Sequence, residues 1–131
     1  CTMGCAVPLA IGAKIAEPGR PVVAFTGDGG LDMVMGELAT ARDLKVPVVI
    51  VVFADTSLTL IEMKQRAMGF ANAGVSFPST DYAQVARALG GEGHLCRSRA
   101  ELEAAFAQAL RSDRFTVVSC VFPRSAYDGR I

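Results

Sequence analysis

The apolar residues of this chain follow two alternating patterns, short continuous runs and stripes that recur every three or four positions. Continuous runs of Val, Ile and Phe are typical of strands buried on both faces, whereas three-four spacing is typical of one buried helix face. Runs and stripes alternate along the chain, which favours a parallel sheet covered by helices. The predicted strands lie at 21–26, 48–53, 94–96 and 116–122. One predicted helix ends near residue 16, and the other predicted helices lie at 31–44, 82–89 and 98–111.

We therefore predict an α/β fold, a doubly wound parallel sheet with helices on both faces in a three-layer sandwich. The pattern gives one domain at 1–123 and a C-terminal tail or linker at 124–131. A short helix is predicted to start within 60–64, and 66–79 is predicted to be an ordered loop because it lacks periodicity. Asp81 or Thr80 is the expected N-cap of the helix at 82–89.

Composition and charge exclude several classes of partner. The 131 residues are 51% hydrophobic, enough for the core of one domain, and 13 basic residues balance 13 acidic ones. Because no basic stripe is present, nucleic acid and anionic membranes are poor candidates. No apolar run approaches the ~20 residues that span a bilayer, and no charged leader followed by an apolar stretch opens the chain. We expect a cytoplasmic domain with no nucleic-acid or membrane partner.

The four cysteines predict buried thiols rather than a metal or disulfide framework. Cys1, Cys5, Cys96 and Cys120 lack the paired spacing of a structural zinc site, and His94 is the only histidine. Free cysteine is among the most buried residue types. No sequence neighbour marks His94 as a general base.

Two aspartates stand directly after the first two long predicted strands. Asp28 lies within Gly27-Asp28-Gly29-Gly30, and Asp55 follows 27 residues later. A helical crossover joins the two strands, so both carboxylates should reach the sheet edge at which open α/β folds bind ligands. The glycines should let the backbone turn sharply and approach phosphate oxygens, and the next helix should point its positive end there. The pattern predicts a site for a divalent cation that carries a diphosphate.

Each of these residues also has a plain structural explanation. Asp28 could cap the next helix, Asp55 could be a turn residue, and Met3 and Met33 could fill the core. The matching position of the two aspartates at successive strand ends favours the ligand site over these separate explanations.

The order of the motifs resembles the diphosphate-binding domain of thiamin-diphosphate enzymes of the acetolactate synthase and 2-oxo-acid decarboxylase superfamily. That family carries Gly-Asp-Gly followed further along by an Asn-Asn or Asn-Asp pair, and the counterparts here are Gly27-Asp28-Gly29 and Ala54-Asp55. The segments 2–14, 58–65 and 81–90 are similar to the stretches that accompany this motif in the acetolactate-synthase-like group. The resemblance runs from residue 1 to about 123.

The resemblance implies thiamin diphosphate and Mg²⁺ as cofactors. Asp28, Asp55 and the backbone carbonyl of Ser57 would bind Mg²⁺, and two diphosphate oxygens and a water would complete an octahedron. Backbone N–H groups of Gly29 and Gly30 would bind the diphosphate.

The resemblance also implies contacts with the two cofactor rings. Met3 would wedge between the rings, the Cys1 carbonyl would accept a hydrogen bond from the aminopyrimidine, and Met33 and Leu60 would line the pocket. The full set of expected cofactor-binding residues is Cys1, Thr2, Met3, Gly4, Gly27, Asp28, Gly29, Gly30, Met33, Asp55, Ser57, Leu58 and Leu60.

The implied activity is decarboxylation of a 2-oxo acid such as pyruvate, with addition to a second carbonyl in the acetolactate-synthase-like reaction. The family's catalytic glutamate comes from a separate pyrimidine-binding domain, usually of a neighbouring subunit, so no catalytic residue is assigned here. We expect a fragment of a longer enzyme, or a small subunit that needs a partner, in a homodimer or homotetramer.

Departures from the family pattern keep alternatives open. Ala54 replaces the first asparagine of the pair, Asp55 adds a charge, Gly30 stands where relatives often have a hydroxyl, and Cys1 stands where glycine is usual. A degenerate homologue without cofactor is one alternative, and a decarboxylase or lyase acting on oxalyl-CoA, benzoylformate or a sulfonated or phosphonated pyruvate is another. A non-catalytic phosphate- or nucleotide-binding module is a third, although Asp32 occupies the last glycine position of a dinucleotide fingerprint.

Three charged residues receive no functional role from the sequence. Lys45, Glu62 and Arg66 are interpreted as solvated surface charges.

Overall fold

A computed structural model describes residues 2–127, which form a four-stranded parallel sheet with helices on both faces, as predicted. A short 3-10 helix at Arg124–Tyr127 follows the last strand. The strands are β1 (Val23–Gly27), β2 (Val49–Ala54), β3 (Glu92–Cys96) and β4 (Thr116–Val121), and the helices are α1 (Ala6–Ala16), α2 (Asp28–Asp32), α3 (Glu37–Asp43), α4 (Thr59–Ala67), α5 (Tyr82–Ala88) and α6 (Arg99–Ala109).

The strand order β1-β2-β4-β3 explains why helices cover both faces. The chain moves in one direction from β1 to β2 and on to β3, and then returns through α6 to insert β4 between β2 and β3. Parallel crossovers are almost always right-handed, so a reversal of direction places the connecting helix on the opposite face. The carboxyl ends of β1, β2 and β4 therefore lie side by side at one edge of the sheet.

The larger core lies between one sheet face and helices α1, α2, α3 and α5. It is built from alternate strand residues, such as Ile50 and Val52 of β2, that pack against Val7, Leu31 and Leu38. A smaller core under α6 contains the intervening strand residues, including Val49, Val51 and Val118, with Ala105 and Ala109 of the helix.

The predicted single helix at 31–44 was wrong in two respects. The helix begins three residues earlier, at Asp28, and it is interrupted by turns at 33–36 before α3. Backbone bonds of the i→i+3 type bridge this interruption, including Val34 N–H to the Leu31 carbonyl and Glu37 N–H to the Val34 carbonyl, both 2.9 Å. Gly36 weakens the helix at this point because glycine is a poor helix former.

The remaining segments follow the sequence expectations closely. The short helix predicted to start within 60–64 is α4, which begins one residue earlier, at Thr59. Asp81 is the N-cap of α5, and its carboxylate accepts a 2.9 Å bond from the Gln84 N–H. The loop predicted at 66–79 returns to the sheet edge, where Ser76 forms an isolated antiparallel bridge with Ser57.

The prediction of buried thiols holds in full for one of the three cysteines that the structure describes. Cys96 is buried, Cys5 and Cys120 are half-buried, and all three are free thiols. Cys1 and residues 128–131 lie outside the described residues, so the proposed tail at 124–131 stays a prediction. None of the helices within 2–127 is long and apolar enough to span a membrane.

Candidate functional site

Asp28 and Asp55 lie next to each other at the carboxyl ends of two paired strands. Gly27, the last residue of β1, pairs with Phe53 of β2, and each aspartate follows its strand directly. Asp28 is 3% exposed and Asp55 is 7% exposed. Buried carboxylates need hydrogen bonds or a cation nearby, because burial of a charge is otherwise costly.

The Asp28 carboxylate ties the two strand ends together. Its Oδ2 accepts the N–H of Asp55 at 3.1 Å and the N–H of Thr56 at 2.7 Å, and its Oδ1 accepts the Gly29 N–H at 2.8 Å. Burial raises the pKa of Asp28 above its usual value, although the bonds from Thr56 and Gly29 oppose that rise. The nearby Asp55 also raises the pKa of Asp28. An additional cation at this point would offset both unfavourable contributions.

The Asp55 carboxylate orders the loop that follows β2. Its Oδ1 accepts the Ser57 N–H at 3.1 Å, and its Oδ2 accepts the hydroxyl of Thr59 at the start of α4. An aspartate that bonds the backbone two residues ahead forms a turn of its own. The position and the bonds of Asp55 place the backbone of Ser57 beside the two carboxylates.

Thr56 stands between these residues in a left-handed conformation. Its φ of 61° is costly for a β-branched residue. Three hydrogen bonds hold it: its N–H to Asp28, its hydroxyl to the Asp55 carbonyl at 2.6 Å, and its carbonyl from the Phe77 N–H at 3.3 Å. Strain maintained in this way is common at ligand sites.

A cavity of about 690 Å³ opens directly over these residues. Eleven of the thirteen expected cofactor-binding residues line it: Thr2, Met3, Gly4, Gly27, Asp28, Gly29, Gly30, Asp55, Ser57, Leu58 and Leu60. Further lining residues include Phe25 and Phe53, whose rings stack with centroids 6.1 Å apart.

Of the expected cofactor-binding residues within 2–127, Met33 alone does not line the cavity. Met33 lies in the turn after α2 and is 63% exposed, and it is not among the lining residues. Cys1 lies outside the described residues. Met3 borders the cavity at the entry to α1, and its methyl group approaches the position that a Cβ on Gly29 would occupy, at 3.0 Å.

Gly29 and Gly30 do not form the sharp backbone turn expected from the sequence. Their lack of a side chain instead lets neighbouring side chains approach the backbone closely. Gly29 and Gly30 belong to helix α2, and neither has positive φ. A Cβ on Gly29 would come within 2.8 Å of Leu58, and one on Gly30 within 2.5 Å of the Thr26 hydroxyl oxygen. The Gly29 N–H, expected to bind diphosphate, is bonded to Asp28 in this structure. Glycine at these two positions thus lets Leu58, Met3 and Thr26 pack closely against α2 beside the cavity.

The available ligand atoms fit a hard cation with a diphosphate. No cluster of three or more His, Cys, Asp or Glu side chains within 2–127 is arranged to hold a metal ion. A cation held by Asp28 and Asp55 would therefore need backbone or ligand oxygens as well. The Ser57 carbonyl is a suitable candidate, and oxygen ligands are those that Mg²⁺ prefers.

A polar cluster behind Ser57 was missed by the sequence interpretation. The single hydrogen of the Ser57 hydroxyl has two acceptors within reach, the Glu62 carboxylate at 2.6 Å and the Val75 carbonyl at 3.2 Å. The two N–H groups of Arg124 Nη2 are shared among three acceptors, Ser57 Oγ and Glu62 Oε2, both at 2.9 Å, and Ser76 Oγ at 2.8 Å. The Ser57 hydrogen bond and the Arg124 charge lower the pKa of Glu62.

The interpretation of Glu62 as a solvated surface charge was therefore wrong, because its side chain is only 14% exposed and is paired. A signal for Arg124 was present in the sequence. Arg124 follows β4, at the same sheet edge as the two aspartates.

Comparisons with known proteins agree with this geometry. Residues 1–120 match the family model described as thiamine pyrophosphate enzyme, C-terminal TPP binding domain. YdaP of Bacillus subtilis (strain 168), described as thiamine pyrophosphate-containing, is 39% identical over 89% of this chain and 20% of its own length. The acetolactate synthase of the same strain is 32% identical over 86% of this chain and 20% of its own length.

A solved structure has the same fold. The thiamine diphosphate-dependent 4-hydroxybenzoylformate decarboxylase of Rhodococcus jostii RHA1 matches with a TM-score of 0.87 and 25% identity, over 92% of this chain and 23% of that one. This chain thus spans about a fifth of the length of the relatives it matches.

Proposed function

Because this chain belongs to the thiamine pyrophosphate enzymes, as their C-terminal TPP-binding domain, we propose that it is the cofactor domain of a longer enzyme that decarboxylates a 2-oxo acid. Domains of this family bind thiamin diphosphate, usually with Mg²⁺ as the metal. The observation that carries the proposal is the convergence of Asp28, Asp55 and eleven of the expected cofactor residues on one cavity.

The residues of this chain bind and orient the cofactor. Asp28 and Asp55 supply the negative charge for Mg²⁺, and the Ser57 carbonyl supplies a third oxygen ligand. Gly29 and Gly30 keep side chains away from the diphosphate, which allows it to approach the backbone of α2. When bound, thiamin diphosphate supplies the electron sink for cleavage beside a 2-oxo group.

The apolar residues of the cavity hold the cofactor rings and exclude water. Met3, Leu58 and Leu60 project from two sides of the opening, and Phe25 and Phe53 border the cavity from the strands. Met3 is 45% exposed and Leu60 is 63% exposed. Burial of these side chains against the rings would add hydrophobic contact to the charge-based binding of the diphosphate.

For the whole enzyme we infer an acetolactate-synthase-like reaction, in which a 2-oxo acid such as pyruvate loses CO₂ and the product is added to a second carbonyl. The similarity of this chain to YdaP and to the Bacillus acetolactate synthase supports this choice. Decarboxylation of an aromatic 2-oxo acid is the second candidate, and the match to the Rhodococcus enzyme supports it. The substrate pocket draws on regions beyond this domain.

The proposal includes a partner for this domain. A pyrimidine-binding domain, from another part of the same protein or from a second subunit, supplies the catalytic glutamate and closes the cofactor site. We place the cofactor site between two subunits, which makes the enzyme a homodimer or homotetramer, and we place the enzyme in the cytoplasm.

Release of CO₂ by the whole enzyme tests the proposed reaction. The enzyme, loaded with thiamin diphosphate and Mg²⁺, is supplied separately with pyruvate, benzoylformate and oxalyl-CoA. We expect CO₂ and acetolactate from pyruvate. CO₂ from benzoylformate alone would favour the second candidate, and no CO₂ from any 2-oxo acid would contradict both.

A further inference from the structure

The loop that carries Ser57 is ordered on its β2 side by Asp28 and Asp55, which accept the Thr56 and Ser57 N–H groups. It runs from the end of β2 to α4, and the N-cap residue of α4, Leu58, makes no side-chain capping bond. Only Thr59 of α4 is buried, so the helix adds little to the order of the loop by packing into the core. The strained φ of Thr56 favours departure from this conformation. Contacts in addition to those of the two aspartates therefore help to determine where the Ser57 carbonyl points.

The returning segment around Ser76 provides one set of such contacts. The Leu58 N–H donates to the Val75 carbonyl at 2.8 Å, and the Phe77 N–H donates to the Thr56 carbonyl at 3.3 Å. These two bonds lie on either side of the Ser57–Ser76 bridge, and neither of them uses the Ser57 carbonyl. Ser57 is 5% exposed. The bonds of its two neighbours hold its backbone in place, and its carbonyl stays available to a ligand.

Arg124 provides the contacts that join the separate segments. A single nitrogen, Nη2, lies 2.9 Å from Ser57 Oγ, 2.9 Å from Glu62 Oε2 and 2.8 Å from Ser76 Oγ. Arg124 follows β4, the strand next to β2, so its backbone is attached to the sheet edge. Its ion pair with Glu62 is partly shielded, since the Glu62 side chain is 14% exposed, and such pairs are screened less by solvent than surface pairs.

We propose that Arg124 is a positioning residue of the cofactor site, which joins Ser57, Glu62 and Ser76 so that the Ser57 carbonyl points at the metal. This inference rests on the proposed function, because the metal it concerns is the one that carries the diphosphate. Arg124 itself is not among the residues that line the cavity. Strand β4 thus contributes to the site through Arg124, alongside β1 and β2, which supply the aspartates.

The test compares the whole enzyme with Arg124→Ala, Arg124→Lys and Arg114→Ala variants. Calorimetric titration at saturating Mg²⁺ gives the Kd for thiamin diphosphate, and circular dichroism establishes that each variant is folded. Arg114→Ala is the matched control, because Arg114 is exposed and its ion pair is with the neighbouring Asp113. We expect Arg124→Ala to raise the Kd at least tenfold and Arg114→Ala to leave it unchanged.

Arg124→Lys separates positioning from general support of the fold. All three contacts converge on one nitrogen, and a lysine ammonium offers three donors from one nitrogen. We expect Arg124→Lys to restore the Kd to within about threefold of the wild type. A role in stability alone would lower the unfolding temperature of Arg124→Ala and leave its Kd unchanged, and that result would overturn the proposal.

Two further outcomes are decisive. If Arg124→Ala does not fold, Glu62→Gln takes its place, because it keeps the side-chain size and removes the charge that faces Arg124. A severalfold rise in Kd for Glu62→Gln supports the proposal, and an unchanged Kd overturns it. If the wild-type enzyme binds no thiamin diphosphate, the proposed function itself fails, which is distinguishable from normal binding by every Arg124 variant.

Discussion

At the residue scale, the two aspartates of the site differ in whether an amide side chain could replace the carboxylate. Asp28 accepts three backbone N–H bonds through both oxygens, and an amide in its place could not accept at both. Asp55 accepts one N–H bond and one hydroxyl bond. A hydroxyl can also accept, so an amide nitrogen at Asp55 could donate to Thr59 instead.

Asp55→Asn should therefore bind thiamin diphosphate and Mg²⁺ with a Kd within about threefold of the wild type. Asp55→Ala should raise the Kd at least tenfold and lower the free energy of unfolding by about 1–2 kcal/mol, because the Ser57 N–H and Thr59 hydroxyl lose their partner. Calorimetric titration and denaturant unfolding measure the two effects. Equal weakening in both variants would mean that the second negative charge is indispensable.

Gly29 offers a prediction about space in the cavity. Gly29→Ala places a methyl group near the flexible ends of Leu58 and Met3, which can move, so stability should change by less than about 1 kcal/mol. The Kd for thiamin diphosphate should rise at least tenfold, because the added methyl group narrows the floor of the cavity.

Gly12→Ala is the control for Gly29→Ala. Gly12 lies in α1 with no atom near its Cβ position, and the change should raise stability by about 0.5–1 kcal/mol without altering the Kd. A normal Kd for Gly29→Ala would show that the diphosphate lies elsewhere.

At the element scale, a buried tyrosine fixes the short helix α2 to α5. The Tyr82 hydroxyl donates to Asp32 at 2.9 Å, across 50 residues of sequence, and Tyr82 is 1% exposed. Burial, and then the bond to Asp32, raise the pKa of Tyr82 above its usual value near 10. Helix α2 begins with Asp28, so this bond supports the element that carries the site.

The raised pKa of Tyr82 predicts a pH dependence of stability. Below about pH 10 the phenol is protonated in both states; above it, the unfolded chain releases the proton while the folded chain retains it, so stability falls as pH rises. Tyr82→Phe should lose about 1 kcal/mol near neutral pH, from the missing hydrogen bond, and should show a shallower alkaline decline. Denaturant unfolding on both sides of pH 10 measures this. An identical decline in the variant would assign it to other groups.

At the scale of the whole molecule, local patterns predicted the sheet and not the contacts between distant segments. The apolar runs located all four strands, and Asp81 located a helix start, because strand burial and capping are properties of neighbouring residues. The break at 33–36 was missed because its apolar spacing continues the helix stripe. The Arg124–Ser57 contact joins residues 67 positions apart. The sequence places Arg124 after a strand, at the edge that carries the aspartates, but it does not show which residues Arg124 contacts.

The candidate site, like the fold, could be predicted from the sequence only in part. The strand ends placed Asp28 and Asp55 together, and the family resemblance supplied the expected roles of Ser57 and of the residues proposed to contact the rings. The positions of Gly29 and Gly30 inside a helix depend on packing against Leu58 and Thr26, which the sequence does not reveal. Within the described residues, the cavity joins elements from Thr2 to Ile61, so its shape is a property of the folded chain.

The central claim is that this sheet edge binds thiamin diphosphate through a divalent metal. Calorimetric titration of thiamin diphosphate into the whole enzyme, first with Mg²⁺ and then with EDTA, tests it most directly, with Asp28→Ala as the site variant and Asp43→Ala as an exposed control. We expect metal-dependent binding by the wild type and Asp43→Ala, and none by Asp28→Ala or in EDTA. Absence of binding by the folded wild-type enzyme, or undiminished binding by Asp28→Ala, would contradict it.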